Sequence, residues 1–192
     1  IADETLDRFE KAFGEKFVFE DRKLILEKSG FRFLNVRNQD VPTYVMHGAA
    51  DLGVVGLDVL EEKEYDLIKL LDLKLGRCKV AFGLRAGEKL NFDKSKITIA
   101  TKHEKIAKKY FEQKAMAVEI IKLYGSIELA PLVGLCDCIV DIVETGETMK
   151  QNGLEVGPTI METTAHLIAN KNSFYAKKDL IFDLKDKLEK FL

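Results

Sequence analysis

This 192-residue sequence contains no run approaching the roughly 18 consecutive apolar residues of a membrane-spanning helix, and it has no surplus of one charge. Thirty Lys and Arg face thirty-two Asp and Glu, a net charge of −2. No overall basic field attracts a polyanion, so neither nucleic acid nor a membrane is expected as a partner. Cysteine is scarce: Cys78, Cys136 and Cys138 are odd in number and lack metal-ligand spacing, and Cys136 and Cys138, on one face of a strand, read as buried thiols, which fits a reducing cytoplasm. His47, His103 and His166 are scattered, and no His or Cys constellation suggests a nucleophile or a dedicated protein metal site. There is no signal peptide, and the chain opens on Ile1 rather than Met, which leads us to expect residues upstream.

What is present is a composition 46% hydrophobic and 32% charged, enough to bury a core in one large domain or two small ones. The most informative stretch is Cys138 to Met149. Ile139, Val140, Ile142 and Val143 are β-branched, as in a strand of a parallel sheet buried on both faces. Thr145-Gly146-Glu147-Thr148 then offers two hydroxyls, a glycine admitting close backbone approach, and the N–H groups of a helix start at Thr148. With Asp141 at the strand end to accept from sugar hydroxyls, this reads as a phosphoribosyl site. The plainer alternative is a Thr145 helix cap and a Gly146 turn.

In chain order, Leu6, Phe9, Ala12 and Phe13 predict a helix over 3–13 ended by Gly14. A polar linker with Arg22 leads to a strand over 31–36 and then to a helix opened by Pro42, with Asp40 as its cap. Asp51 to Gly56 predicts a short buried strand closed by glycine, followed by a helix over 57–62. Strands are expected over 67–75 and 78–84, and the polar segment 86–96, with Gly87, Asn91 and Asp93, is the candidate hinge. Beyond it strand and helix alternate through residue 152, which implies a parallel α/β layer with right-handed crossovers. An extended segment over 157–169 returns to the first half, and Leu180, Ile181, Leu184, Leu188 and Phe191 form the apolar stripe of a last helix over 176–192.

An internal echo suggests two related lobes. Gly48 with Asp51 and a β-branched strand is matched by Gly134 with Asp137 and another such strand. Both strand-end loops, Gly53 to Gly56 and Glu144 to Thr148, are expected to face a ligand held between the lobes.

These residues carry a resemblance to the catalytic subunit of the short-form ATP phosphoribosyltransferase family. It rests on Arg37-Asn-Gln-Asp-Val-Pro-Thr-Tyr44, on His47-Gly-Ala-Ala-Asp-Leu-Gly-Val-Val-Gly56, and on a signature through Glu128, Gly134, Asp141, Thr145, Gly146, Thr148 and Met149. The resemblance implies an α/β fold of two lobes like type II periplasmic binding proteins: lobe I over 1–92 plus 165–192, lobe II over 93–164. It implies transfer of the phosphoribosyl group of PRPP to N1 of the ATP adenine, with Mg²⁺ bound through the substrate and pyrophosphate released. Asp141, Glu144, Thr145, Gly146, Glu147 and Thr148 would hold PRPP. Arg22, Arg37, Asp51, Gly53, Val54, Val55 and Gly56 would face the nucleotide or pyrophosphate, with Arg37 and Asp141 as the catalytic candidates.

The family's usual first strand and Lys-Gly-Arg loop are expected just before the residue that is Ile1 here. Cys136 stands where the signature prefers a small residue. By resemblance the chain works as a homodimer inside a hetero-oligomer, with a histidyl-tRNA-synthetase-like subunit supplying histidine inhibition that this chain has no domain to supply itself. The alternative is a non-catalytic small-molecule binding module on the same fold, which has no special reason to contain the Thr145 to Thr148 loop. A different phosphoribosyltransferase would share that loop but not the Arg37 to Gly56 motifs.

Overall fold

The computed structural model describes residues 1–91 and 94–192. The chain divides into two α/β units, one of residues 1–60, 64–76 and 164–192, the other of 61–63 and 77–163.

The first unit opens on α1 (Ala2–Phe13), which Gly14 ends in the left-handed conformation at φ 71°, its N–H donating to Glu10 O. A hairpin follows that the sequence reading saw only in part. The strand β1 (Ile25–Lys28) pairs antiparallel with β2 (Phe31–Leu34) around Ser29 and Gly30, both at positive φ, as a two-residue hairpin turn requires. Phe9, Phe13, Phe17, Phe31 and Phe33 interlock there, with ring centroids 5.1 to 6.4 Å apart in edge-to-face and offset pairs.

The helix α2 (Val41–Met46) begins at Asp40, with Pro42 in its first turn where a missing N–H costs nothing. Asp40 occupies the cap position without using its side chain; the Arg37 carbonyl accepts from Asp40 N and Val41 N instead. Then come β3 (Leu52–Gly56), α3 (Leu57–Lys63) and β4 (Ile68–Asp72). These strands flank β10 (Ala165–Ala169), antiparallel to both, in the order β3-β10-β4. The chain ends in α7 (Lys171–Ala176) and α8 (Lys178–Glu189); α8 is the last helix expected over 176–192, and α7 before it has no counterpart in the sequence reading. Ile181, Leu184 and Leu188 are buried, whereas Leu180 is 71% exposed and Phe191 43%, which removes both ends of the expected stripe.

The second unit holds one mixed sheet in the order β7-β6-β8-β5-β9. Its members are β5 (Cys78–Arg85), β6 (Ile97–Thr101), β7 (Val118–Lys122), β8 (Cys138–Val143) and β9 (Leu154–Thr163), joined in part through α4 (Glu104–Gln113), α5 (Leu129–Leu132) and α6 (Glu147–Gln151). The strand β6 runs parallel to β7 and β8, as the alternation predicts, but β5 is antiparallel to β8 and β9. The two faces bury separate cores, one around Phe82, Ile99, Phe111 and Val140, the other around Ile127, Ile139, Met149 and Leu154.

The boundary expected at residues 92–93 is corrected to 76–77, because β5 pairs with β8 and β9 and so belongs wholly to the second unit. Segment 86–96 is therefore the β5–β6 connection inside that unit rather than a hinge; Asp93, named for it, lies outside the described residues. The extended segment splits at Thr163 into β9 of the second unit and β10 of the first.

The internal echo has a structural counterpart. After α2, Gly48 at φ 72° donates to Val45 O and Ala49 N to Tyr44 O; after α5, Gly134 at φ 75° donates to Pro131 O and Leu135 N to Ala130 O. Both are the same Schellman turn, each feeding a β-branched strand after an aspartate. No helix among the described residues is long and apolar enough to cross a membrane.

Candidate functional site

The strand β8 carries Asp141 near its end, and the chain turns through Glu144, Thr145 and Gly146 into α6 at Glu147, one residue before the start read from the sequence. Gly146 is the N-cap residue at φ 83°, a region that side chains with a Cβ rarely enter. A Cβ there would also lie 2.9 Å from Val156 Cγ2, so both conformation and space call for glycine. Thr145 Oγ1 accepts from Glu147 N at 3.3 Å, a turn bond rather than a cap on the interior of the helix. Glu144, Thr145, Glu147 and Thr148 are exposed, while Met149 is buried beneath them and anchors the turn in the core. The turn thus presents two hydroxyls and backbone N–H groups on a fixed base.

Asp141 is mostly covered, its side chain 14% exposed, and two residues that the sequence reading did not single out for the site reach it. Lys102 Nζ lies 3.0 Å from Asp141 Oδ1, and His103 Nε2, largely buried, lies 3.7 Å from the same oxygen. Ile142 N donates to Oδ1 at 2.8 Å. The sequence signal available was the end of β6: in a parallel pair, residues just past one strand end neighbour those at the end of the next. The N-terminus of α4, beside these residues, is already filled. Glu62 of α3 accepts from Lys105 N at 3.0 Å and Ile106 N at 3.1 Å, a carboxylate cap supplied from far along the chain.

The remaining candidates lie in the first unit. Arg22 and Arg37 are exposed on loops, and among the described residues neither guanidinium makes a hydrogen bond or ion pair. Arg37 thus makes no ion pair with the nearby Asp40. Asp51 is engaged locally: Lys177 Nζ donates to Oδ2 at 2.8 Å, and bonds from Lys177 and Ser173 hold its carboxyl below the usual range despite partial burial. Gly53 admits α2, since a Cβ there would sit 2.6 Å from Val41 Cγ1 and 2.8 Å from Val45 Cγ2. The Val55 side chain is fully buried in the core beside Val45, Val59, Leu60 and Ile168, so Val55 has only backbone to offer a ligand. Gly56 lets the Asp58 carboxylate fold over it, Oδ1 standing where a Cβ would be crowded out, and Asn38 Nδ2 is 3.8 Å from the same point. The Arg37–Tyr44 and His47–Gly56 motifs, distinct in sequence, therefore meet at Asn38 and Gly56.

A cavity of about 890 Å³ also lies in the first unit, bounded by Phe9, Phe33, Leu34, Val45, Leu52 and Leu167 among others. Its lining includes Asp51, Gly53 and Val54 but no residue of the Asp141–Thr148 turn, and Arg32 is its sole cationic side chain. A polyphosphate needs more donors and charge than that apolar wall supplies. Among the described residues no group of three His, Cys, Asp or Glu side chains is arranged to hold a metal.

Known proteins resemble this chain over most of its length. The model of the HisG family, ATP phosphoribosyltransferase, matches residues 37–190. An ATP phosphoribosyltransferase of Wolinella succinogenes is 66% identical over 190 residues, 99% of this chain and 92% of that protein. One from a Sulfurovum species is 63% identical over 98% of this chain and 92% of its own length. Among solved structures, the ATP phosphoribosyl transferase (HisG:HisZ) complex from Thermotoga maritima matches with a TM-score of 0.81 and 34% identity, over 98% of this chain and 92% of that one. The substrate-binding protein of an amino acid ABC transporter matches at 0.62 with 14% identity, over 98% of this chain and 79% of that one, a likeness of fold that accords with the periplasmic-binding-protein architecture expected from the sequence. With the family's profile spanning most of the sequence and relatives this near across almost its whole length, the chain belongs to the HisG family of ATP phosphoribosyltransferases.

Proposed function

We propose that the protein transfers the phosphoribosyl group of PRPP to N1 of the ATP adenine and releases pyrophosphate, the first step of histidine biosynthesis. The observation that carries this reading is the turn after β8. Asp141 at the strand end, a left-handed Gly146 and exposed Thr145 and Thr148 are what a 5-phosphorylated ribose requires. In this reading the hydroxyls of Thr145 and Thr148 and the N–H groups of 146–148 bind the 5-phosphate, while Asp141, with Glu144 and Glu147 nearby, accepts from the ribose hydroxyls. Arg37, with no partner of its own among the described residues, stabilises the departing pyrophosphate, assisted by Arg22 and the backbone of Gly53 to Gly56, while Asp51 faces the nucleotide.

Displacement at the anomeric carbon builds oxocarbenium character on the ribose while charge grows on the leaving group. Positioning and charge stabilisation do the work, and no covalent nucleophile is needed. Mg²⁺ brought in with the substrate, with no dedicated protein ligands, would supply charge neutralisation at the leaving group. The chain acts in the cytoplasm, as a homodimer within a hetero-oligomer that includes a regulatory subunit resembling histidyl-tRNA synthetase, in line with the HisG:HisZ assembly of the Thermotoga maritima structure.

The test is a coupled assay with ATP, PRPP and Mg²⁺, following the N1 adduct by ultraviolet absorbance, with and without the regulatory subunit. Thr145→Val and Thr148→Val are expected to raise the KM for PRPP about tenfold each, the loss of one hydrogen bond to a charged group, with the melting temperature unchanged. Unaltered PRPP affinity in both variants would remove the phosphate turn from the site. Tight binding of a small ligand with no product under any condition would favour a non-catalytic binding module.

A further inference from the structure

We propose that Lys102 is a positioning residue for Asp141, fixing one carboxylate oxygen so that the other is presented to the ribose hydroxyls, and offsetting negative charge that would repel the substrate. The proposal rests on the phosphoribosyl reading of the Asp141–Thr148 turn.

The placement follows from strand register. In the parallel pair of β6 and β8, Ile99 lies opposite Cys138, Ala100 opposite Ile139 and Thr101 opposite Val140. The next step brings Lys102 beside Asp141. Thr101 is wholly buried and locks this end: its Oγ1 donates to Val140 O at 2.6 Å and accepts from His103 N at 2.8 Å. Lys102 therefore leaves the sheet from a fixed point rather than from a loose loop.

The contacts of Asp141 are one-sided. Lys102 Nζ at 3.0 Å, Ile142 N at 2.8 Å and His103 Nε2 at 3.7 Å all address Oδ1. Oδ2 makes no hydrogen bond among the described residues. A carboxylate gripped by one oxygen has its plane fixed and keeps the lone pairs of the other for incoming donors, which a ribose diol supplies. The pair is shielded enough to matter, with side-chain exposures of 33% for Lys102 and 14% for Asp141. Charge points the same way. Asp141, Glu144 and Glu147 put three carboxyl groups around a turn assigned to a polyanionic substrate, and Lys102 is the cation that pairs with the first of them.

The experiment measures steady-state kinetics and PRPP binding by calorimetry for Lys102→Met, Lys102→Arg, Asp141→Asn and the Lys102→Met/Asp141→Asn double variant, with Thr145→Val as reference. Lys102→Met is expected to raise the KM and Kd for PRPP at least tenfold while the KM for ATP stays within twofold. Lys102→Arg should recover PRPP affinity to within threefold of the parent. The double variant should bind PRPP no more weakly than Asp141→Asn alone, because Lys102 acts through that carboxylate. Unchanged PRPP affinity in Lys102→Met, equal losses for both substrates, or additive losses in the double variant would each overturn the proposal. If Lys102→Met fails to fold, Lys102→Gln and Lys102→Arg carry the same comparison. Unaltered PRPP affinity in both the Thr145→Val reference and the Thr148→Val variant would instead defeat the phosphoribosyl reading itself, a result distinct from failure of Lys102 alone.

Discussion

At the residue scale, burial and hydrogen bonding decide what each polar or reactive group does. Cys138 is fully buried in the second unit's core, and burial pushes its thiol up to about 12; burial also raises the Cys136 thiol. Cys78 is half-buried. One thiol, that of Cys78, should therefore react with a disulfide reagent at pH 8 in the native protein, and all three after denaturation, as counted by the absorbance of the released thiolate. Asp72 behaves oppositely. Its partial burial works to raise the carboxyl, but bonds from Lys74 Nζ and N and from Thr164 Oγ1, with the charge of His166, outweigh this and hold it at about 2. The unfolded chain's carboxyl titrates near its ordinary value, so the folded state gains stability that is fully present above about pH 4 and is lost as pH falls through 2. That contribution is about 2 kcal/mol. In urea titrations the advantage of the parent over Asp72→Asn should be present at pH 5 and shrink steadily towards pH 2.

Elements are closed by contacts that come from distant parts of the chain. Asn170 accepts from Asn172 N at 2.9 Å and Ser173 N at 3.1 Å, capping α7, while its Nδ2 donates to Val45 O at 2.8 Å and Met46 O at 3.2 Å at the end of α2. One buried amide thus satisfies two helix ends. Asn170→Ala should cost about 2–3 kcal/mol, a cap plus carbonyls left without donors. Asn170→Asp keeps the cap but loses the donors and should recover only part of it. Thermal melts of the three proteins check the order. The Glu62 carboxylate on the start of α4 is the same device in the second unit.

For the whole molecule, the path of the chain sets which part depends on which. The five strands of the second unit all come from residues 78–163, whereas β10, the central strand of the β3-β10-β4 sheet, is supplied by residues after that unit. Removing residues 164–192 therefore takes away the strand that joins β3 to β4, along with the α8 side chains Leu184 and Leu188 that pack with Phe9 and Leu73. The truncated chain should keep slow amide exchange in β5 to β9 and lose it in β3 and β4, as hydrogen-exchange mass spectrometry would show.

Much of this was legible in the residues. Gly14 and Pro42 marked helix boundaries because only certain backbone conformations suit those positions, and β-branched runs marked β3 and β8. The turn from Asp141 to Thr148 stood out because a glycine between hydroxyls at a strand end is a local pattern, and local patterns survive in sequence. The strand β1 was missed because its hairpin partner, not its own composition, makes Ile25–Lys28 a strand. The boundary was misplaced because the polarity of 86–96 reports solvent exposure, while the membership of β5 depends on antiparallel pairing with residues about sixty to eighty positions away.

By itself the sequence determined the α/β class, the two-part organisation, the glycine turn from Asp141 to Thr148 and the family. The tertiary structure alone decided that Lys102 and His103 stand against Asp141, that Glu62 fills the start of α4, and that Val55 is committed to the core. Local conformational preference is written in neighbouring residues, whereas which carboxylate meets which cation depends on strand register and crossover, fixed only when the whole chain has packed.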